Sequence, residues 1–170
     1  WYSNDDATVW TFELREGVLW HDGETLTADD VVFSLNLALN PEVVASFPTI
    51  AQLPRESVLS VTALDELTVQ IEVDAPRPRL PFFMIFLWIL PEHELADINP
   101  AEYQNLDWFF TNPIGTGPFM HDEFVDDQFW ALVPNPNYFR GAPKLDRLIN
   151  RYFADETSAV LALEAGEIDF

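Results

Sequence analysis

Three histidines stand nearest to acid–base or metal chemistry in this 170-residue chain: His21, His93 and His121, each beside a carboxylate. His21-Asp22 has the composition of an acid–base pair, but neighbours in sequence rarely face each other usefully. Between a strand and a helix, His21-Asp22-Gly23 reads better as a turn, with Asp22 bonding local backbone and Gly23 taking positive φ. Pro91-Glu92-His93-Glu94 resembles part of a metal site. It lacks the second histidine four residues on that a His-Glu-x-x-His zinc helix needs, so it reads as a solvated helix start. Gly115-Thr116-Gly117-Pro118-Phe119 has a faint look of a phosphate loop, yet it has no lysine and leads into a strand. Asp126-Asp127 lacks the spaced oxygen ligands of a calcium loop and reads as a hairpin tip. There is no cysteine, so disulfides and thiolate metal sites are excluded. No nucleophile–base pair can be built from local spacing. These residues argue for neither catalysis, nor a metal, nor a cofactor.

Aromatic rings are the remaining chemical signal. Trp10, Phe12 and Phe33 fall at core positions of predicted elements. Phe47 instead sits in a loop between Pro41 and Pro54 among apolar neighbours. A loop aromatic lines a ligand site or anchors the loop by burial, and both readings stay open. The net charge is −21, from 29 acidic and 8 basic residues. A nucleic-acid binder needs a basic footprint, which is missing, and an anionic membrane surface is disfavoured for the same reason. The acidity gives a strongly solvated surface; a source living in high salt, where self-repulsion is screened, is the sharper reading. Hydrophobic residues make up 48% of the chain, enough for a core despite the charge.

The elements that must carry these residues are legible from periodicity. Trp10, Phe12 and Leu14 alternate with Thr11 and Glu13, predicting a half-buried strand over residues 8–14. Thr27 is a good N-cap for a helix with Asp29 and Asp30 in its first turn. Val31, Val32, Leu35, Ala38 and Leu39 supply its apolar face, and Asn40-Pro41 stops it. Residues 58–63 and 67–73 read as strands joined at Asp65-Glu66, an antiparallel hairpin. Residues 80–86 predict a short buried helix, 88–90 an extended piece, and 100–108 another short helix. Residues 112–118 are rigid at the prolines and permissive at the glycines, so a boundary between structural units belongs near them. Strands follow at 119–124, 129–133 and 145–153, then a helix from Glu156 to Ala165 capped by Asp155 and stopped by Gly166.

Assembled in order, four blocks resemble the signature of family 5 extracellular solute-binding proteins, the dipeptide, oligopeptide and nickel receptors of ABC importers. The first runs from Thr11 to Glu24 and continues from Leu26 to Ser34, with Trp20-His21-Asp22-Gly23 at its centre. The second is Pro113-Ile114-Gly115-Thr116-Gly117-Pro118-Phe119. The third is Asn135-Pro136-Asn137-Tyr138-Phe139-Arg140-Gly141, with Pro143-Lys144-Leu145-Asp146. The fourth is Ala162-Leu163-Glu164-Ala165-Gly166-Glu167-Ile168-Asp169. Each is weak alone; in family order over nearly the whole chain they are specific.

The resemblance implies a mixed α/β, periplasmic-binding-protein-like class II fold, represented in part, with mixed sheets flanked by helices. Residues 1–110 would be the extra N-terminal domain of the large receptors, and 111–170 part of the first α/β lobe, with the second lobe absent. The chain starts at Trp1 and stops at Phe170 within a continuing pattern, which reads as a trimmed piece without its signal segment. The implied role is extracytoplasmic, in the periplasm or anchored at the cell surface. It is capture of a peptide-like small solute and delivery to ABC permease membrane subunits, by a monomer, with no enzyme activity, cofactor or nucleic acid. By resemblance the loop around Ala45 to Phe47 approaches the solute, making Phe47 the one ligand-binding candidate. Alternatives are an acidic secreted interaction module and a receptor of the same family for nickel, haem or sugar. A secreted hydrolase or lyase would need a nucleophile, base or metal cluster that local spacing does not supply.

Overall fold

Alternation of apolar and polar side chains produces β2 (Val9–Glu13), which lies between β1 (Tyr2–Ser3) and β4 (Thr68–Val73). With β3 (Val58–Asp65) they form an antiparallel sheet of order β1-β2-β4-β3. Its register sets Trp10 opposite Ile71 and Phe12 opposite Val69, so the apolar sets of both strands share one face. The computed structural model describes residues 1–44, 55–85 and 87–170, which divide into two units. One comprises residues 1–107 with 114–116; the other comprises 108–113 with 117–170. Phe47 and Phe86 lie outside the described residues.

In the first unit, α1 (Ala28–Leu39) covers the apolar face of the sheet. Val31, Leu35 and Ala38 recur at helical spacing and pack with Trp10, Val69, Ile71, Val73 and Leu80. Burying one side chain such as Leu35 contributes roughly 1.5–3 kcal/mol. The buried stripe is wider than the sequence pattern suggests, because Asp30, Ser34 and Leu37 are inside as well. Thr11, expected on the outer strand face, is also buried. A one-turn helix, α2 (Pro41–Val44), follows α1.

Two expected helices are smaller than their patterns. α3 (Leu80–Met84) has five residues and buries only Leu80, while Phe82 and Ile85 are exposed. So short a helix offers one narrow face to the core. Residues 100–108 do not form one helix: a 3₁₀ turn over Pro100–Asn105 ends where Leu106 turns extended, and α5 (Trp108–Thr111) starts afresh. Between them in sequence, α4 (Glu92–Leu95) follows the buried Pro91.

The second unit is an antiparallel sheet of order β5-β6-β7, formed by β5 (Phe119–Val125), β6 (Phe129–Pro134) and β7 (Leu148–Arg151). β7 is shorter than the nine-residue pattern because only Leu148 to Arg151 find partners on β6. α6 (Glu156–Glu164) begins at Asp155, whose carboxylate accepts from the Ser158 backbone N–H at 2.8 Å. It ends before Gly166, which takes φ of +72°. Ala131 and Ala162 are buried, whereas Leu145, Ile149, Val160 and Leu161 are each more than half exposed. Among the described residues this unit leaves much of its apolar surface uncovered. No helix of the described residues is long and apolar enough to cross a membrane.

Candidate functional site

The start of α1 gathers the polar groups of the first unit. Asp30 lies in the first helical turn and is 4% exposed. Its Oδ2 accepts from the Thr27 backbone N–H at 2.9 Å, the reach-back of a capping box. The same oxygen accepts from the Trp20 indole N–H at 3.3 Å. Its Oδ1 accepts from the Glu92 backbone N–H at 2.9 Å, across 62 residues. One turn on, the Ser34 hydroxyl accepts from the Leu90 N–H at 2.8 Å and donates to the Asp30 carbonyl at 2.7 Å. Two polar side chains on the buried face of α1 therefore hold the segment that leads into α4.

The three histidines have structural partners. The His21 Nδ1 accepts from the Gly115 N–H at 3.1 Å, and the His21 N–H donates to the Gly115 carbonyl at 2.9 Å. This fixes the His21 proton on Nε2. The Gly115 N–H, which a phosphate loop would offer to an anion, is thereby taken. The His121 Nδ1 accepts from the Trp130 indole N–H at 2.8 Å, within the β5–β6 hairpin. The His93 Nε2 donates to Asp22 Oδ2 at 2.7 Å. Asp22 also closes its own turn, accepting from the Glu24 N–H at 3.1 Å beside Gly23 at φ +99°, as the sequence predicts.

The ionisation of this corner follows from these contacts. For Asp22, burial pulls the carboxyl upward, but the His93 hydrogen bond, the Glu24 N–H and the His93 charge outweigh it, and the group is held below its usual range. For His93, burial pulls downward and is outweighed by the hydrogen bond and charge of Asp22, with Asp30 and Glu94 adding to it, so the imidazole is raised. Glu92 is raised by burial first and by repulsion from Asp29 and Asp30 second. Tyr103 is pushed up to about 12 by burial, and its hydroxyl donates to the Leu95 carbonyl at 2.7 Å.

Glu92, His93 and Glu94 thus form more than a solvated helix start, because the fold brings Asp22 to them. The ligand atoms of Asp22, His93 and Glu94 all lie within 4.8 Å of one another. The signal for this grouping was weak: His93 is 71 residues from Asp22. Asp126-Asp127 is a hairpin tip, with Asp127 at φ 56°. Beside it a concavity of about 380 Å³ is lined by Gln128, Phe129, Ile149, Arg151 and Tyr152 with Asp127. Its cation is engaged, since Arg151 reaches Glu167 at 3.4 Å and lies over the Phe153 ring. The ligand candidate Phe47 is outside the described residues.

Comparison with known proteins supplies what the geometry alone does not. Residues 1–170 match the model of the bacterial extracellular solute-binding proteins, family 5. A Brucella ovis protein provisionally named an ABC transporter peptide-binding protein is 42% identical over 165 residues, which is 97% of this chain and 30% of that protein. The substrate-binding protein CtaP of Listeria monocytogenes superposes with a TM-score of 0.87 at 32% identity, covering 98% of this chain and 33% of that one. The oligopeptide-binding protein AppA of Bacillus subtilis, solved with a nonapeptide, superposes with a TM-score of 0.86 at 27% identity, over 98% of this chain and 32% of that one. The chain thus spans about a third of the length of these relatives. Its mixed α/β fold is theirs, and the family is one of binding proteins rather than enzymes. By the match over its whole length, this chain belongs to the bacterial extracellular solute-binding proteins of family 5.

Proposed function

We propose that this chain is part of a receptor that captures peptide-like solutes outside the cytoplasmic membrane and delivers them to the permease of an ABC importer. The observation that carries the reading is the family match over residues 1–170 together with the likeness to a protein solved with a nonapeptide. In this reading residues 1–110 are the extra N-terminal domain and 111–170 belong to the first α/β lobe. The uncovered apolar residues Leu145, Ile149, Val160 and Leu161 support the second assignment, since a lobe core needs further elements against them. The solute lies in a cleft closed by a second lobe, bound by backbone hydrogen bonds and side-chain pockets. In this reading Phe47, outside the described residues, is a solute-binding residue.

In this reading the receptor works as a monomer and delivers its solute to ABC permease membrane subunits. Its test is mass spectrometry of ligand retained by the full-length protein, followed by calorimetry with the peptides found. Recovery of peptides and their tight rebinding support the reading; retention of a sugar or haem alone refutes the peptide assignment. Residues 1–170 alone bind the same peptides weakly or not at all, and micromolar binding by them contradicts the two-lobe cleft. Phe47→Ala in the full-length receptor weakens peptide binding; unchanged affinity removes Phe47 from the site.

A further inference from the structure

We propose that Asp22, His93 and Glu94 form a site for a divalent transition cation, with Zn²⁺ the best fit, on the surface of the first unit. The three side chains come from two places, the turn after Trp20 and the single turn of α4. Their ligand atoms lie within 4.8 Å of one another. Zinc held at about 2.0–2.2 Å by imidazole nitrogen and carboxylate oxygens needs those atoms about 3.3 Å apart in tetrahedral geometry. The His93–Asp22 pair, at 2.7 Å, must open by about half an ångström, and the Glu94 carboxylate must close in. Both are side-chain movements at a solvent-accessible surface.

One imidazole with two carboxylates is a hard-to-borderline donor set that suits Zn²⁺ above alkaline-earth ions, and it leaves a coordination position for water. On binding, the cation replaces the proton that His93 Nε2 shares with Asp22, and that proton leaves to solvent. The surroundings favour a cation independently of the ligand geometry. Asp29 and Asp30 open α1, and the Asp30 carboxylate accepts from the Glu92 backbone N–H at 2.9 Å, so further carboxylates stand against the start of α4. Trp20 sets its ring edge-on to His93 at 6.3 Å between centroids and limits where the imidazole can swing. A bound cation cross-links the Trp20–Glu24 turn to α4.

The test is calorimetry of the chelator-treated chain with ZnCl₂ at pH 7.5, in 0.15 M NaCl with 5 mM MgCl₂ to occupy unspecific carboxylates. The expected result is one site of micromolar Kd. His93→Gln should weaken it at least tenfold, and Glu94→Gln should weaken it as well while leaving the Asp22–His93 bond intact. His121→Gln should leave it unchanged. With Co²⁺ as a spectroscopic probe, the visible absorption should be lost in His93→Gln and kept in His121→Gln. Binding weaker than millimolar overturns the proposal, and so does zinc affinity that is the same in His93→Gln as in the parent.

Discussion

Asp30→Ala is the perturbation that tests whether the buried carboxylate organises the first unit. The side chain accepts three hydrogen bonds, from the Thr27 N–H, the Trp20 indole and the Glu92 N–H. A hydrogen bond to a charged group contributes about 1.5–3 kcal/mol net. The indole bond, at 3.3 Å, is long and counts for little, leaving two bonds of 2.9 Å. Their sum, reduced by the relief of no longer burying a charge, gives a loss of about 3 kcal/mol. With a urea m-value of about 2 kcal/mol/M, the unfolding midpoint falls by about 1.5 M. Asp30→Asn keeps one acceptor oxygen but turns an NH₂ towards one of the backbone donors, so it loses about half as much. Urea unfolding followed by tryptophan fluorescence reads both variants, and Trp20 sits beside the change. Backbone hydrogen exchange adds a local readout, because the Thr27 and Glu92 amides lose their acceptor in Asp30→Ala and exchange faster. A midpoint shift under about 0.3 M with both amides still protected would refute the argument.

The Asp22–His93 pair predicts a modest pH dependence. The His93 pKa is raised, so its contribution is complete below the unfolded value near 6.5 and is lost as pH rises through the higher folded value. The Asp22 pKa is lowered, so its contribution is complete above 3.8 and is lost as pH falls through the lower folded value. The pair therefore stabilises fully between these limits. Being about a third exposed, it is worth about 0.5–1 kcal/mol, and metal-free chain carrying His93→Gln should lose stability at pH 5.5 but little at pH 8.5 by urea titration. Leu35→Ala, at a position 1% exposed beneath the sheet, should cost about 2–5 kcal/mol in the same assay; a cost below 1 kcal/mol contradicts the packing described. A net charge of −21 should make thermal stability rise by a few degrees from 0.1 to 2 M NaCl, where the screening length contracts from about 10 to below 3 Å. No rise in molar salt sinks the high-salt reading of the composition.

The elements most legible in the sequence are those where a period and its punctuation agree. β2 and β4 alternate and meet in register, and α1 starts after Thr27 and stops before Pro41. The β5–β6 hairpin turns at Asp126-Asp127, and α6 begins after Asp155. Legibility fails where a pattern is apolar but its surroundings are not fixed locally. The run from Leu80 to Leu90 is apolar throughout, yet Phe82, Ile85 and Trp88 are exposed while Leu80 is buried. Sequence hydrophobicity states what gains from burial, and only the tertiary fold decides which residue of a crowded stretch obtains it. Asp30 and Ser34 illustrate the opposite case. They stand at i and i+4 on the same stripe as Val31, Leu35 and Ala38, and a polar pair on an apolar stripe signals buried partners that must come from elsewhere in the chain.

Those partners explain why the blocks that identify the family are mainly scaffold. Trp20 and Asp30 both lie in the first block and bond to each other. His21 of that block exchanges two hydrogen bonds with Gly115 of the second, 94 residues away. In the third block Asn135 sends its amide to the Gly117 carbonyl and its backbone N–H to the Pro118 carbonyl. Each pairing needs a side chain of one type at one place, because a buried donor or acceptor without its partner costs about 1–3 kcal/mol. Such positions are restricted by the fold itself, whatever else the chain does. The Asp22–His93–Glu94 corner stands at the edge of this network: Asp22 closes a structural turn, whereas Glu94 is exposed and contributes to no bond described above.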